Sequence, residues 1–199
     1  MSVSAIVLAA GLSSRMGPQN KLLLPFGKQP MVRVVVTQLL AAGLQEVIVV
    51  TGHQEAEVRD ALKGLPIRWV HNTNYQSGMT SSIQAGVAVA GGTGYLIGLA
   101  DMPLLRAENY TGLVNAFEQA YREDIACMIA AARDGRQRNP VIFSSHYREG
   151  ILNHTFPEGC KELVLQHASH LRLLHIPEPQ ALKDFDTPEA YQNQVQDDD

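Results

Sequence analysis

Short apolar runs, each shut off by a glycine or a turn, recur along this chain with helix-patterned stretches between them. That alternation limits the possible folds more than any other feature. The first run, Val3–Ala9 (VSAIVLA), leads into Gly11, and the second, Glu46–Thr51 (EVIVVT), is closed by Gly52. A third lies at 67–70 (IRWV) and a fourth at 95–100 (YLIGLA), stopped by Asp101-Met102-Pro103. Runs this short and this apolar read as strands buried on both faces. Residues 30–42 carry helical periodicity up to Gly43, and 54–63 form a charged helix ending at Gly64. Residues 78–90 are a helix rich in small side chains, 108–121 another helix, and 126–131 a strand. Strands separated by helices make βαβ units and a parallel sheet. Right-handed crossovers then cover both faces. The expected fold is α/β: a doubly wound, mostly parallel sheet with helices on both faces and ligands beyond the carboxyl ends of its strands. From Arg136 onward the alternation loosens, with strands expected at 140–144 and 171–176 and a short helix at 161–168. Residues 194–199 are polar and acidic and read as a frayed end. At roughly 100–200 residues per domain, 199 residues suggest a single domain over 1–199.

Composition narrows the function. A net charge of −4 argues against electrostatic binding of nucleic acid or an anionic membrane. Two cysteines, Cys127 and Cys160, cannot build a disulfide framework or a four-thiolate zinc site, and they suit a reducing cytoplasm. No basic residue precedes the first apolar run, which is the wrong order for a signal peptide. Among the seven histidines only His167 and His170 stand at a close spacing, with no third zinc ligand beside them. His53 reads as a loop residue, and Cys127 and Trp69 as packing residues.

The segment Ala9-Ala10-Gly11-Leu12-Ser13-Ser14-Arg15-Met16-Gly17, followed by Lys21, comes directly after the first strand. Gly11 and Gly17 allow a tight loop whose backbone N–H groups point inward. Ser13 and Ser14 add hydroxyl donors, and Arg15 and Lys21 add two positive charges. A polyphosphate fits this combination. A surface turn with incidental charges is the plainer alternative. Lys21 is followed by Leu22, so this is not a Walker A loop, and the dinucleotide G-x-G-x-x-G is absent. Asp101 ends the fourth strand at the same sheet edge. Asp184-Phe185-Asp186-Thr187-Pro188 lies far downstream. A carboxylate beside a polyphosphate loop is where Mg²⁺ would be held. The same aspartates would also serve as caps, Asp101 of a turn and Asp186 of a last helix. Thr51-Gly52-His53 and the stretch 72–82 offer amides, hydroxyls and helix N–H groups that could read a base or ribose. Ser77 or Thr80 would equally cap the helix there.

The opening motif, with Lys21-Leu22-Leu23-Leu24-Pro25 after it, resembles the MobA-like nucleotidyltransferases. Within that group the chain is most similar to the molybdenum cofactor cytidylyltransferases, the MocA-like family, from Ser4 to about Tyr191. The resemblance implies a Rossmann-like, nucleotide-diphospho-sugar transferase-like fold. It further implies a nucleotide-binding half over about 1–105 and an acceptor-binding half over about 106–192. Nucleotide contacts are implied at Ala9, Ala10, Gly11, Ser13, Ser14, Arg15, Lys21, Thr51, Gly52, Asn74, Gly78, Ser81, Ser82 and Asp101. Of these, Arg15, Lys21 and Asp101 are the implied catalytic set. The metal falls to Asp101 and Asp186, with Asp184 the weaker candidate. Cytosine is implied by Ala9-Ala10-Gly11, where guanylyltransferase relatives usually show Ala-Gly-Gly. Arg138, Asn139 and Lys161 match acceptor-side positions. The family's Gly-Asp ahead of that lysine is missing here, replaced by Phe156-Pro157, and Lys161 stands where Arg is common.

The expected reaction joins CMP from CTP to the phosphate of a molybdopterin acceptor with Mg²⁺, releasing pyrophosphate. A molybdoenzyme recipient is among the expected partners. Three rivals stand beside it. One keeps the chemistry with another nucleotide or another phosphorylated acceptor. One is a non-catalytic nucleotide or molybdopterin carrier. One is an oxidoreductase, against which the missing G-x-G-x-x-G counts.

Overall fold

The computed structural model describes residues 1–13, 19–178, 180–185, 187 and 189–192. In chain order its strands are β1 (Val3–Ala9), β2 (Pro25–Phe26), β3 (Gln29–Pro30), β4 (Glu46–Thr51), β5 (Arg68–His71), β6 (Gly94–Leu99), β7 (Met128–Arg133), β8 (Arg136–Ser144) and β9 (Leu171–His175). The helices are α1 (Met31–Ala41), α2 (Glu55–Ala61), α3 (Met79–Val89), α4 (Ala107–Glu123), α5 (Arg148–Leu152) and α6 (Lys161–Gln166). Seven strands form one sheet in the order β5-β4-β1-β6-β8-β7-β9, while β2 and β3 make a small separate hairpin. Within the large sheet every pairing is parallel except those of β8 with β6 and β7.

Burial explains why these runs are strands. On β1, Val3, Ala5, Val7 and Ala9 face one core with α1 and α4, whereas Ile6 faces the other with Ile83 and Val87 of α3. Alternate side chains of a strand point to opposite faces. A strand covered on both sides must therefore be nearly all apolar, and in β1 the one polar side chain, Ser4, donates to Glu46 and the Gly91 carbonyl. The expected doubly wound α/β sheet is present. From β1 the chain steps outward through β4 to β5, and α3 then carries it back across to β6 on the far side of β1. The order reverses between β1 and β6, and ligands of such sheets bind beyond the carboxyl ends at that point.

The later half departs from the expected bounds. Strand β8 begins at Arg136 rather than Pro140, because Asp134-Gly135 forms a tight turn joining it to β7. Both turn residues have positive φ, 50° and 69°, as a two-residue hairpin requires. Strand β7 starts at Met128 and runs on to Arg133, into this hairpin. Helix α5 and the β2–β3 hairpin carry no periodic signal, being too short to display one. Residues 194–199 lie outside the described residues. Among the described residues no helix is long and apolar enough to cross a membrane.

Candidate active site

Leu8 of β1 pairs with Leu99 of β6, so the residues that follow each strand emerge side by side at one sheet edge. Ala10 and Gly11 leave β1 there, and Asp101 leaves β6. Gly11 has no positive φ, and among the described residues nothing lies within 4 Å of a Cβ built on it. Its bare backbone faces an open cleft of about 640 Å³, as close approach by a ligand would need.

The chain returns to the cleft through a short 3₁₀ turn over Lys21–Leu23, capped by Asn20, whose side chain accepts from the Leu22 N–H at 3.1 Å. The Ser13 hydroxyl accepts from the Lys21 N–H at 3.3 Å and donates to Asn20 Oδ1 at 3.4 Å. This turn aims Lys21 at Asp101, with Nζ 2.5 Å from Oδ2 and the two side chains only 16% and 10% exposed. The other carboxylate oxygen, Oδ1, is buried and has no hydrogen-bond partner among the described residues. A buried carboxylate oxygen without a partner is costly to leave so. A hard divalent cation takes such oxygens and completes its shell from phosphates and water. Asp184 lines the same cleft, brought there by its neighbour Phe185, which is fully buried and packs tilted against Phe26 with ring centroids 5.7 Å apart. Among the described residues no three His, Cys, Asp or Glu side chains cluster as a complete metal site. The donor set therefore fits a cation shared with a phosphate ligand better than a protein-only cage.

Of the residues expected to contact nucleotide, the structure gathers Ala10, Gly11, Ser13, Lys21, Gly78, Ser82 and Asp101 around this cleft. Others frame it from behind. Ala9 is core. The Thr51 hydroxyl is fully buried and engaged with Glu55, the Val70 carbonyl and His71. Glu55 itself sits below the usual carboxylate range, mainly because Arg59 donates to it, with His71 and Thr51 adding to the effect against the opposing pull of burial. Gly52 is bare because a Cβ there would lie 2.7 Å from Tyr75 and 2.9 Å from Ala10. Asn74 and Ser81 are held by Asn72, which donates to Ser81 at 2.8 Å and Ser82 at 3.0 Å and accepts from the Asn74 N–H at 2.9 Å. Ser14, Arg15 and Asp186 lie outside the described residues.

Leu12, Tyr75 and Gln76 also line the cleft and Asn72 braces it; they fall within the loop and the stretch 72–82 named from sequence but were not singled out there, whereas Asn20, the other brace, was not noticed at all. The signal for Tyr75 was Gly52, since a glycine after a buried strand can mark a close neighbour. Nothing local marked Asn20.

A second cavity of about 480 Å³ adjoins the first and shares Met79, Leu99 and Asn139 with it. It forms because β8 parts from β6 beyond the Ile97–Val141 pair. Arg138, Asn139 and Lys161, the expected acceptor-side residues, all line it. Its remaining wall is largely apolar, from Ile83, Val141 and Phe143 among others.

A family described as the MobA-like NTP transferase domain matches residues 5–171. Nicotine blue oxidoreductase of Paenarthrobacter nicotinovorans is 26% identical over 190 residues, covering 94% of this chain and 93% of that protein. A nucleotidyl transferase from Methanothermobacter superposes with a TM-score of 0.86 at 27% identity, covering 99% of this chain and 97% of that one. Rv0371c of Mycobacterium tuberculosis, solved in complex with manganese, gives a TM-score of 0.77 at 20% identity, over 98% of this chain and 99% of that one.

Proposed function

The chain belongs to the MobA-like NTP transferase domain family, and from that premise we propose that it transfers CMP from CTP to the phosphate of a molybdopterin-type acceptor with release of pyrophosphate. One observation carries the reading. An open, glycine-edged cleft holding Lys21 and the buried Asp101 abuts a second cavity edged by Arg138 and Lys161. A donor triphosphate and an anionic acceptor can therefore meet at the wall that Asn139 shares.

In this reaction an acceptor phosphate oxygen attacks the α-phosphorus of CTP. The new P–O bond forms as the α–β anhydride bond breaks, and pyrophosphate leaves with that electron pair. A phosphate monoester with a second pKa near 6 is largely ionised at neutral pH, so no general base is needed. Lys21, Arg15 and the amides after Ala10 hold the β- and γ-phosphates and meet the charge of the leaving group. Asp101 orients Lys21 through Oδ2. Asp101, with Asp186 or Asp184, would hold Mg²⁺, which would supply charge neutralisation to the phosphates. Ala10, which together with Tyr75 crowds Gly52, supports a base site next to the loop.

The test is purified protein with Mg²⁺ and each nucleoside triphosphate, with and without molybdopterin, scored for pyrophosphate and dinucleotide. CTP with molybdopterin should give both products. GTP as the better donor, or a sugar phosphate as the better acceptor, would keep the chemistry and change the substrates. Nucleotide binding without pyrophosphate would point to a carrier. The nearly full-length likeness to nicotine blue oxidoreductase favours one further arm: NAD(P)H oxidation with no nucleotidyl transfer would replace this reading by redox chemistry.

A further inference from the structure

The two cavities are bridged by one helix end. Helix α3 presents Gly78, Met79 and Ser82 to the donor cleft. Its first turn also grips the loop over 153–160, whose end supplies Glu158, Gly159 and Cys160, with Lys161 beyond, to the acceptor cavity. Thr80 is 4% exposed. Its hydroxyl donates to the Phe156 carbonyl and accepts from the Gly159 N–H at 3.0 Å. Its backbone N–H donates to the Pro157 carbonyl at 3.3 Å. One turn further, Gln84 Nε2 donates to the carbonyls of Ile151, Leu152 and His154 at 2.9–3.1 Å. Gly78 has φ 109°, and a Cβ on it would lie 2.6 Å from the Pro157 carbonyl oxygen, so donor-side backbone and acceptor-side loop are in direct contact.

We propose that Thr80 is a positioning residue that couples the two halves of the site, so that nucleotide settling on α3 fixes the acceptor loop through the Thr80 hydroxyl. The inference rests on the nucleotidyltransferase reading for its substrates, but its central contact is independent of them. The loop has no ladder of its own, and the His154, Phe156 and Pro157 carbonyls and the Gly159 N–H turn to Gln84 and Thr80 instead. This is also the stretch where Phe156-Pro157 stands in place of the family's Gly-Asp. Coupling of this kind between two binding sites commonly amounts to about 5–150-fold in affinity.

Cys160 reports on the loop without any need for turnover. It is a free thiol, 7% exposed, and burial pushes its pKa up to about 12. Iodoacetamide labelling of Cys160, separated from Cys127 by peptide mapping, should be slowed on the order of tenfold by Mg-CTP in the wild type. Thr80→Val should speed basal labelling by about tenfold and abolish the nucleotide effect, and Thr80→Ser should restore both. In turnover, Thr80→Val should raise the acceptor KM and lower kcat while leaving the CTP dissociation constant within about twofold. Gln84→Met provides a second variant on the same face of α3, at the near end of the loop, should Thr80→Val fail to fold, and it should also speed labelling. Equal Cys160 labelling in wild type and variants, or a loss of CTP affinity as large as the loss for acceptor, would overturn the coupling. A wild type inactive with every nucleotide would remove the transferase reading, while Cys160 labelling with and without Mg-CTP would still decide the role of Thr80.

Discussion

Asp101 does two jobs with its two oxygens: Oδ2 holds Lys21, and Oδ1 is left for something other than the described protein atoms. Asp101→Asn keeps the shape and halves that capacity, and Lys21→Ala removes the cation. Each should lower kcat on the order of 10²–10³-fold with the far-UV spectrum intact, as loss of one electrostatic partner commonly does. Wild-type turnover in either variant would remove that residue from the chemistry. Arg15→Ala should behave similarly if the loop binds phosphate. At this scale the sequence was informative where chemistry and position coincide. Gly11, Lys21 and Asp101 stood out because a glycine or a charge in the segment that follows a buried strand has few structural reasons to be there. Thr51, Asn74 and Ser81 looked the same by type, yet the Thr51 hydroxyl turns to Glu55, Val70 and His71, while Ser81 and the Asn74 backbone turn to each other and to Asn72. A side chain's partner across a sheet edge is not written in its own neighbourhood.

Elements were readable in proportion to their length and period. Strands β1 and β4 match their expected bounds residue for residue, because double-sided burial leaves a continuous apolar run. Strand β8 does not, since its first residues, Arg136 to Asn139, alternate in exposure beyond the covered sheet. The Asp-Gly pair that makes the hairpin was visible and is a recognised turn signal. The His167–His170 spacing found a different use: His170 pairs with Asp124 at 2.7 Å, tying the end of α4 to the approach of β9. The Asp124 carboxyl is held below the usual carboxylate range chiefly by His170, then by the Ala126 N–H, while burial opposes them. A lowered folded-state pKa contributes stability above the unfolded value, near 3.9, and loses it as pH falls through the folded value. The gap in urea midpoint between wild type and Asp124→Asn should therefore be full near pH 6 and close as pH drops below about 4. A gap that stays constant from about pH 6 to 3 would show that this carboxylate contributes nothing as an ion.

Across the whole molecule, the cleft draws on β1, β6, α3 and the Asp184 segment, which only the native fold brings together. A nucleotide bound there recognises the folded state alone. CTP with Mg²⁺ at about a hundred times its dissociation constant should add roughly 2.7 kcal/mol. For a chain of this size that is a rise of about 5–10 °C in Tm, readable by thermal denaturation. An equal rise with GTP would remove the cytidine preference, and no rise with any triphosphate would remove the nucleotide site.

The amino-acid order by itself determined the α/β class, the strand that feeds the glycine loop, and the placing of Gly11, Lys21 and Asp101 at one sheet edge. Those follow from periodicity and from the rule that parallel strands end on a common side, both of which are local or topological. Tertiary structure alone decided that β8 runs against its neighbours and parts from β6 to open the second cavity. It alone decided that Thr80 grips a loop far along the chain and that Phe185 carries Asp184 to the cleft. These depend on which surfaces meet after folding, and contacts between distant segments leave no period in the sequence that makes them.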